Sequence, residues 1–213
     1  MASHARTVDA LLDACGTTFA EDAGITLRDA PAPLYQLLVL VTVLSTRIKA
    51  DIAVAAAREL FDAGWTTPER LRDSTWQQRV DALGRAHYRR YDEGMATRLA
   101  ECAELVQERW HGDLRRLRDE AEDASGVLRT LQEFPGIGPT GAAIFCREVQ
   151  GVWPVLAPFA DQRVADGAAR VGLPTDPAKL AALVSAEDFP VLVAACVRVA
   201  LDDRLAERLL SGS

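Results

Sequence analysis

The sequence predicts an all-α protein. Three observations carry this reading. Nearly half of the 213 residues are apolar (49%), while aromatic residues make up only 6%. The apolar residues recur at three- and four-residue spacings, and strand-like alternation is nearly absent. Ser, Thr or Asp stands before run after run, as helix N-caps do.

Taken in order, residues Ala5 to Glu21 form a first helix with Val8, Leu11, Leu12 and Phe19 as its apolar stripe. Pro31 and Pro33 then break the chain. Leu34 to Ser45 is apolar nearly all round and reads as a core helix. Polarity returns abruptly at Ser45-Thr46-Arg47-Ile48-Lys49, and a further helix covers Asp51 to Ala63. Thr67 caps a short helix begun by Pro68, a favoured first position. Ser74 and Gln77 have the spacing of a capping box for a helix reaching Leu83. Gly84 to Tyr91 is a loop rich in Arg and aromatic residues, followed by a long helix from Asp92 to Trp110 that Gly94 weakens in its first turn. Asp113 starts a short helix, and Ser125 to Phe134 another, with Leu128 and Leu131 on one face. The tight turn Phe134-Pro135-Gly136-Ile137-Gly138-Pro139-Thr140-Gly141-Ala142 leads into a helix through Ile144, Phe145 and Val149. After Trp153-Pro154 the chain is irregular to Ala160. Asp161 then caps a helix to Val171, Asp176-Pro177 begins the next, and Glu187 to Leu210 gives one or two closing helices. The length suffices for one or two small domains with a real core.

The net charge is −7 and the isoelectric point about 5.0. A protein that coats nucleic acid needs Lys and Arg for phosphates, so such a role is excluded unless a local basic face supplies them. Arginine carries most of the positive charge, and its planar fork suits phosphate better than lysine does. The four cysteines, Cys15, Cys102, Cys146 and Cys196, are too far apart in sequence for a C-x-x-C site, and read as isolated thiols of a reduced, cytoplasmic protein. His4, His87 and His111 make no metal spacing with them. The N-terminus lacks the basic end and apolar core of a signal peptide, and Leu34–Leu44 is too short to span a bilayer.

The Phe134–Ala142 turn carries the chemistry. Its glycines stand where side chains would obstruct the backbone. It opens a helix, whose first N–H groups lack internal partners and whose dipole adds partial positive charge. Such an end can hold a phosphate without reading a base. A Gly/Pro turn that merely joins two packed helices is the competing reading.

The residues Leu131-x-x-Phe134-Pro135-Gly136-Ile137-Gly138-x-x-x-Ala142 resemble the hairpin of the endonuclease III-like superfamily of helix-hairpin-helix DNA glycosylases. Three further segments fit in the same order. The core helix ending in Leu44-Ser45-Thr46-Arg47 resembles the helix whose end fills the gap left by a flipped base, with Arg47 at that position. The Gly84–Tyr91 loop resembles the one that probes the opposite strand, with Arg85, His87, Tyr88, Arg89, Arg90 and Tyr91 as basic or stacking groups. Ala160-Asp161-Gln162-Arg163, closing with Arg170-Val171-Gly172-Leu173, resembles the segment whose aspartate assists departure of the base. Asp161 as a plain helix cap, with Asp166 as the weaker alternative carboxylate, is the other reading. Together the matches span Leu34 to Leu173.

The resemblance implies a two-lobed all-α fold. A helical barrel with the hairpin would cover residues 34–150, and a second lobe from both termini would comprise 1–33 and 151–213. It implies binding of damaged double-stranded DNA by a monomer through Gly136, Ile137, Gly138, Thr140, Gly141, Arg47 and Arg89. Two departures shape the chemistry. Bifunctional relatives carry an imine-forming lysine in the hairpin; this chain has Thr140, as monofunctional relatives have a small or hydroxylic residue. Many relatives hold a four-cysteine iron–sulfur cluster near the C-terminus; here only Cys196 lies beyond Trp153, so no cluster is expected, and a monovalent cation at the hairpin carbonyls is the one further ligand admitted. The expected function is base-excision repair: hydrolysis of the bond between a damaged base and its sugar, with Asp161 and Thr140 as candidate catalytic residues. A non-catalytic binder of DNA structures is the alternative, and a helical interaction module that has left DNA a third.

Overall fold

In the computed structural model residues 2–211 are described, with side chains from His4 to Leu209. Every regular element among them is helical. The chain divides into two compact units, residues 20–145 and residues 1–19 with 146–213. The divisions thus fall at 19/20 and 145/146, where the sequence placed them at 33/34 and 150/151.

The 20–145 unit is built on α3 (Pro31–Leu44). Leu34, Tyr35, Leu37 to Val41 and Val43 are all buried, so the apolar run that allows no amphipathic face is used on every side. Helix α4 (Ala50–Asp62) packs on α3 and on α6 (Trp76–Arg85). The long α7 (Asp92–Trp110) packs on α3, α6, α5 (Pro68–Arg72) and α8 (Leu114–Glu120), and α8 also meets α9 (Ala124–Leu131). Caps fix the starts. Thr67 accepts from the Arg70 N–H, Asp113 from Arg115 and Asp123 from Gly126.

In the other unit, α11 (Gln162–Arg170) lies on α13 (Phe189–Leu201), which also packs on α1 (Ala2–Cys15) and α14 (Asp203–Ser211). Gly167 makes the α11–α13 approach possible: a Cβ there would collide with the backbone carbonyl of Cys196. Asp176 caps the short α12 (Pro177–Ala181). Helix α10 (Pro139–Val149) begins in one unit and ends in the other.

Three sequence expectations are corrected. The first helix ends at Cys15, not Glu21. The chain bends at Thr17, whose N–H bonds to the Cys15 carbonyl, and resumes as α2 (Phe19–Asp22). The capping box is Thr75 with Gln78, one residue later than Ser74 with Gln77. Ser74 is committed elsewhere: its hydroxyl donates to the Leu71 carbonyl and accepts from the buried Arg79 guanidinium. Helix α6 runs on to Arg85, which pairs with Glu59 of α4, so the loop proper is 86–91.

Candidate nucleic-acid interface and carboxylate site

The turn between α9 and α10 is fastened to α7. The Phe134 ring lies 5.5 Å from that of Trp110, Glu133 pairs with Arg109, and the Cys102 thiol approaches the Pro135 carbonyl at 3.6 Å. Gly136 has φ +82°, in the left-handed region glycine favours. Gly138 does not, and a Cβ there would meet only open space. The expectation that the turn's glycines stand where side chains would obstruct therefore holds for Gly136 and not for Gly138. Ile137 turns its side chain inward (3% exposed), leaving only its backbone for a ligand. Thr140 is exposed. The first α10 bond runs from Ala142 N–H to the Gly138 carbonyl, leaving the N–H groups of Gly138, Thr140 and Gly141 without partners among the described residues.

Helix α10 starts hard against the end of α3. A Cβ on Gly141 would collide with the Ser45 hydroxyl, which donates to the Val41 carbonyl at 2.7 Å. Two residues on, Arg47 stands exposed in the bend that follows α3. The 86–91 loop is tied to the same bend. The Tyr88 hydroxyl lies 2.6 Å from Thr46 Oγ1 and donates to the Val43 carbonyl at 3.2 Å. Tyr88 is thus buried structure, not the stacking group expected from sequence, while His87, Arg89 and Arg90 remain exposed. Burial pushes the Tyr88 phenol up from its ordinary value.

The end of α3 therefore gathers the hairpin, the Arg47 bend and the arginine loop on one unit. Residues 44–50, 84–91 and 134–142 contain no acidic residue. In a chain of charge −7 that is a local basic face.

Asp161 belongs to the other unit. Its Oδ1 caps α11 by accepting from the Val164 N–H at 3.2 Å, and the same oxygen faces Arg147 Nη1 at 3.3 Å. The second carboxylate oxygen has no partner among the described residues. Arg147 is 7% exposed. Burial pulls its guanidinium below the usual arginine range, opposed by the charge of Asp161. The alternative carboxylate, Asp166, is exposed and accepts from Gln162. The four thiols are free and buried, and burial pushes Cys102, Cys146 and Cys196 up to about 12.

No protein-family model and no curated protein matches the sequence. Solved structures do match the fold. A trapped endonuclease III–DNA covalent intermediate, an estranged-adenine complex, aligns with 17% identity over 89% of this chain and 81% of that one, at a TM-score of 0.52. A non-covalent endonuclease III–DNA complex aligns with 16% identity over 89% and 80%, at 0.53.

The fold is that of endonuclease III. Within this endonuclease III fold two residues escaped the sequence reading. Arg147 had a signal: with Glu148 it interrupts the apolar run from Ala142 to Val149, and charges set in such a run call for buried partners. Arg98, on α7 beside the hairpin, had none: it sits in a helix dense with charge, and only the approach of Gly136 sets it apart.

Proposed function

We propose that this chain is a divergent member of the endonuclease III-like superfamily and a monofunctional DNA glycosylase: it binds damaged duplex DNA and hydrolyses the bond between a base and its sugar. The observation that carries the reading is the convergence of hairpin, Arg47 bend and arginine loop at the end of α3, within a fold whose solved counterparts were captured on DNA. The open N–H groups of Gly138, Thr140 and Gly141, with the backbone of Gly136 and Ile137, are the phosphate donors. Arg47 fills the gap left by the extruded nucleotide, and Arg89 meets the opposite strand. Asp161 stabilises positive charge on the sugar as the base departs and orients the attacking water. The Arg147 guanidinium and the α11 N-terminus fix that carboxylate through one oxygen, leaving the other for the substrate.

Thr140 offers a hydroxyl where bifunctional relatives place an amine, so no imine with the sugar forms and the strand is not cut. The donor set does not fit a four-cysteine cluster: one cysteine lies beyond Trp153, and Cys102, Cys146 and Cys196 are held as neutral thiols by burial.

The test is base release from a panel of damaged duplexes, with borohydride present in a parallel reaction. Release without a trapped protein–DNA adduct is expected, and Asp161→Asn should lower it by about 10²-fold or more. A trapped adduct overturns the monofunctional assignment. One observation favours a second reading: the Asp161 oxygen nearest Arg147 already serves both a cap and an ion pair, a complete structural role. Tight duplex binding with no release from any lesion would make the chain a non-catalytic DNA-structure binder.

A further inference from the structure

Arg98 occupies a position that no sequence motif marks. It projects from the middle of α7 and is half-buried. A Cβ built on Gly136 would lie 2.9 Å from its Cδ, 3.4 Å from Nε and 3.7 Å from one terminal nitrogen. The guanidinium thus lies directly over the exposed turn residue of the hairpin. Cys102, which touches the Pro135 carbonyl, follows Arg98 by four residues on the same face of α7, and the charge of Arg98 also reaches the Tyr88 phenol. It has no carboxylate partner among the described residues, unlike Arg109 of the same helix and Arg72 and Arg85 of neighbouring elements. The hairpin from Phe134 to Ala142 contains no charged side chain of its own.

We propose that Arg98 is the hairpin's side-chain cation: it binds the DNA backbone phosphate that the open N–H groups of the turn receive. The proposal rests on the DNA-binding reading above and adds a residue to it. Gly136 then serves two ends, a left-handed backbone and room for the arginine stem. A planar guanidinium supplies two donors toward one phosphate, where the turn supplies only backbone dipoles. Neutralising a phosphate releases bound counterions, so each such contact contributes about 0.9 to the slope of log affinity against log salt.

The experiment measures duplex affinity of the whole chain as a function of salt, for wild type, Arg98→Gln and Arg98→Lys, on damaged and undamaged DNA. Arg98→Gln should weaken binding about tenfold on both duplexes and reduce the salt slope by about one, as expected for a lost phosphate contact. Arg98→Lys should restore the slope. A wild-type slope in Arg98→Gln overturns the proposal. So does a slope reduced equally in Arg98→Lys, because the arginine would then act through the shape of the turn. Should Arg98→Gln not fold, Arg98→Met removes the same charge while keeping an apolar stem and is read by the same criteria: a slope reduced by about one supports the contact and a wild-type slope rejects it. Failure of wild type to bind any duplex is a separate outcome, which overturns the DNA-binding reading itself.

Discussion

Gly136 and Gly138 are chemically identical and two residues apart, yet the chain asks different things of them. At Gly136 a side chain meets a left-handed backbone and the Arg98 stem. Gly136→Ala should therefore cost about 1–2 kcal/mol from the backbone alone. Gly138→Ala, facing open space, should stay within about 0.5 kcal/mol of wild type in urea unfolding. Gly138→Val keeps the fold and shields the neighbouring N–H groups, so it should weaken duplex binding at unchanged stability. Unchanged affinity there would make the turn purely structural. Tyr88 allows a similar separation. Tyr88→Phe removes the hydroxyl that meets Thr46 and the Val43 carbonyl. A loss of about 1 kcal/mol is expected, with weaker discrimination for damaged duplex, because the bend bearing Arg47 loses its tie to the arginine loop.

At the scale of elements, α11 depends on how closely it can approach α13. Gly167→Ala places a methyl group against the Cys196 carbonyl. It should destabilise by about 3 kcal/mol, the upper part of the overpacking range, read as a fall in urea midpoint at constant m-value. Helix α8 gives a pH-dependent test. The Arg115 side chain, and then its backbone N–H, hold the Asp113 carboxylate below the usual aspartate range. A lowered folded-state pKa contributes stability that is fully present above the unfolded value of about 3.9 and is lost as pH falls through the folded value. The stability gap between wild type and Asp113→Asn should therefore be constant above about pH 5 and shrink below about pH 4. A gap that widens on acidification would remove the ion pair from the account. Asp161 caps its helix in the same way, so Asp161→Asn keeps a capping oxygen but leaves Arg147 without its carboxylate. Its activity should be measured beside its melting temperature.

For the whole molecule, the thiols give a direct readout. Cys102, Cys146 and Cys196 are buried, with pKa values pushed up to about 12, so a thiol reagent at neutral pH should modify them only upon unfolding. Rapid labelling under native conditions would contradict the packing. Much of the fold was legible because periodicity and caps act locally. Asp92–Trp110 was read to its ends, and Thr67, Asp113, Asp161 and Asp176 cap where their residue types indicate. Misreadings arose where a distant partner overrode a local signal. Ser74 was drawn away from its capping box by the buried Arg79, and Tyr88 was drawn inward by Thr46. The order of the candidate interface segments was legible; their meeting at the end of α3 was not, since it depends on Ser45 receiving Gly141 across the unit. Arg98 shows the same limit, being defined by what comes to rest on it.

The route of the chain has a consequence for its synthesis. Helix α1 packs on α13, and the Arg198 guanidinium donates to the Thr17 carbonyl at 2.6 Å. Helix α1, made before the 20–145 unit, must therefore wait for α13, made after it. Residues 20–145, by contrast, are complete once α10 has left the ribosome. At about 5–20 residues per second the interval before α13 emerges is a few seconds, long compared with the folding of small helical domains. The hairpin-bearing unit should fold first, while the N-terminal segment remains open to proteolysis. Nascent chains stalled shortly after Val149 has emerged should show protease protection across 20–145 and cleavage within 2–15. Protection of both together would mean that α1 finds another partner in the interim.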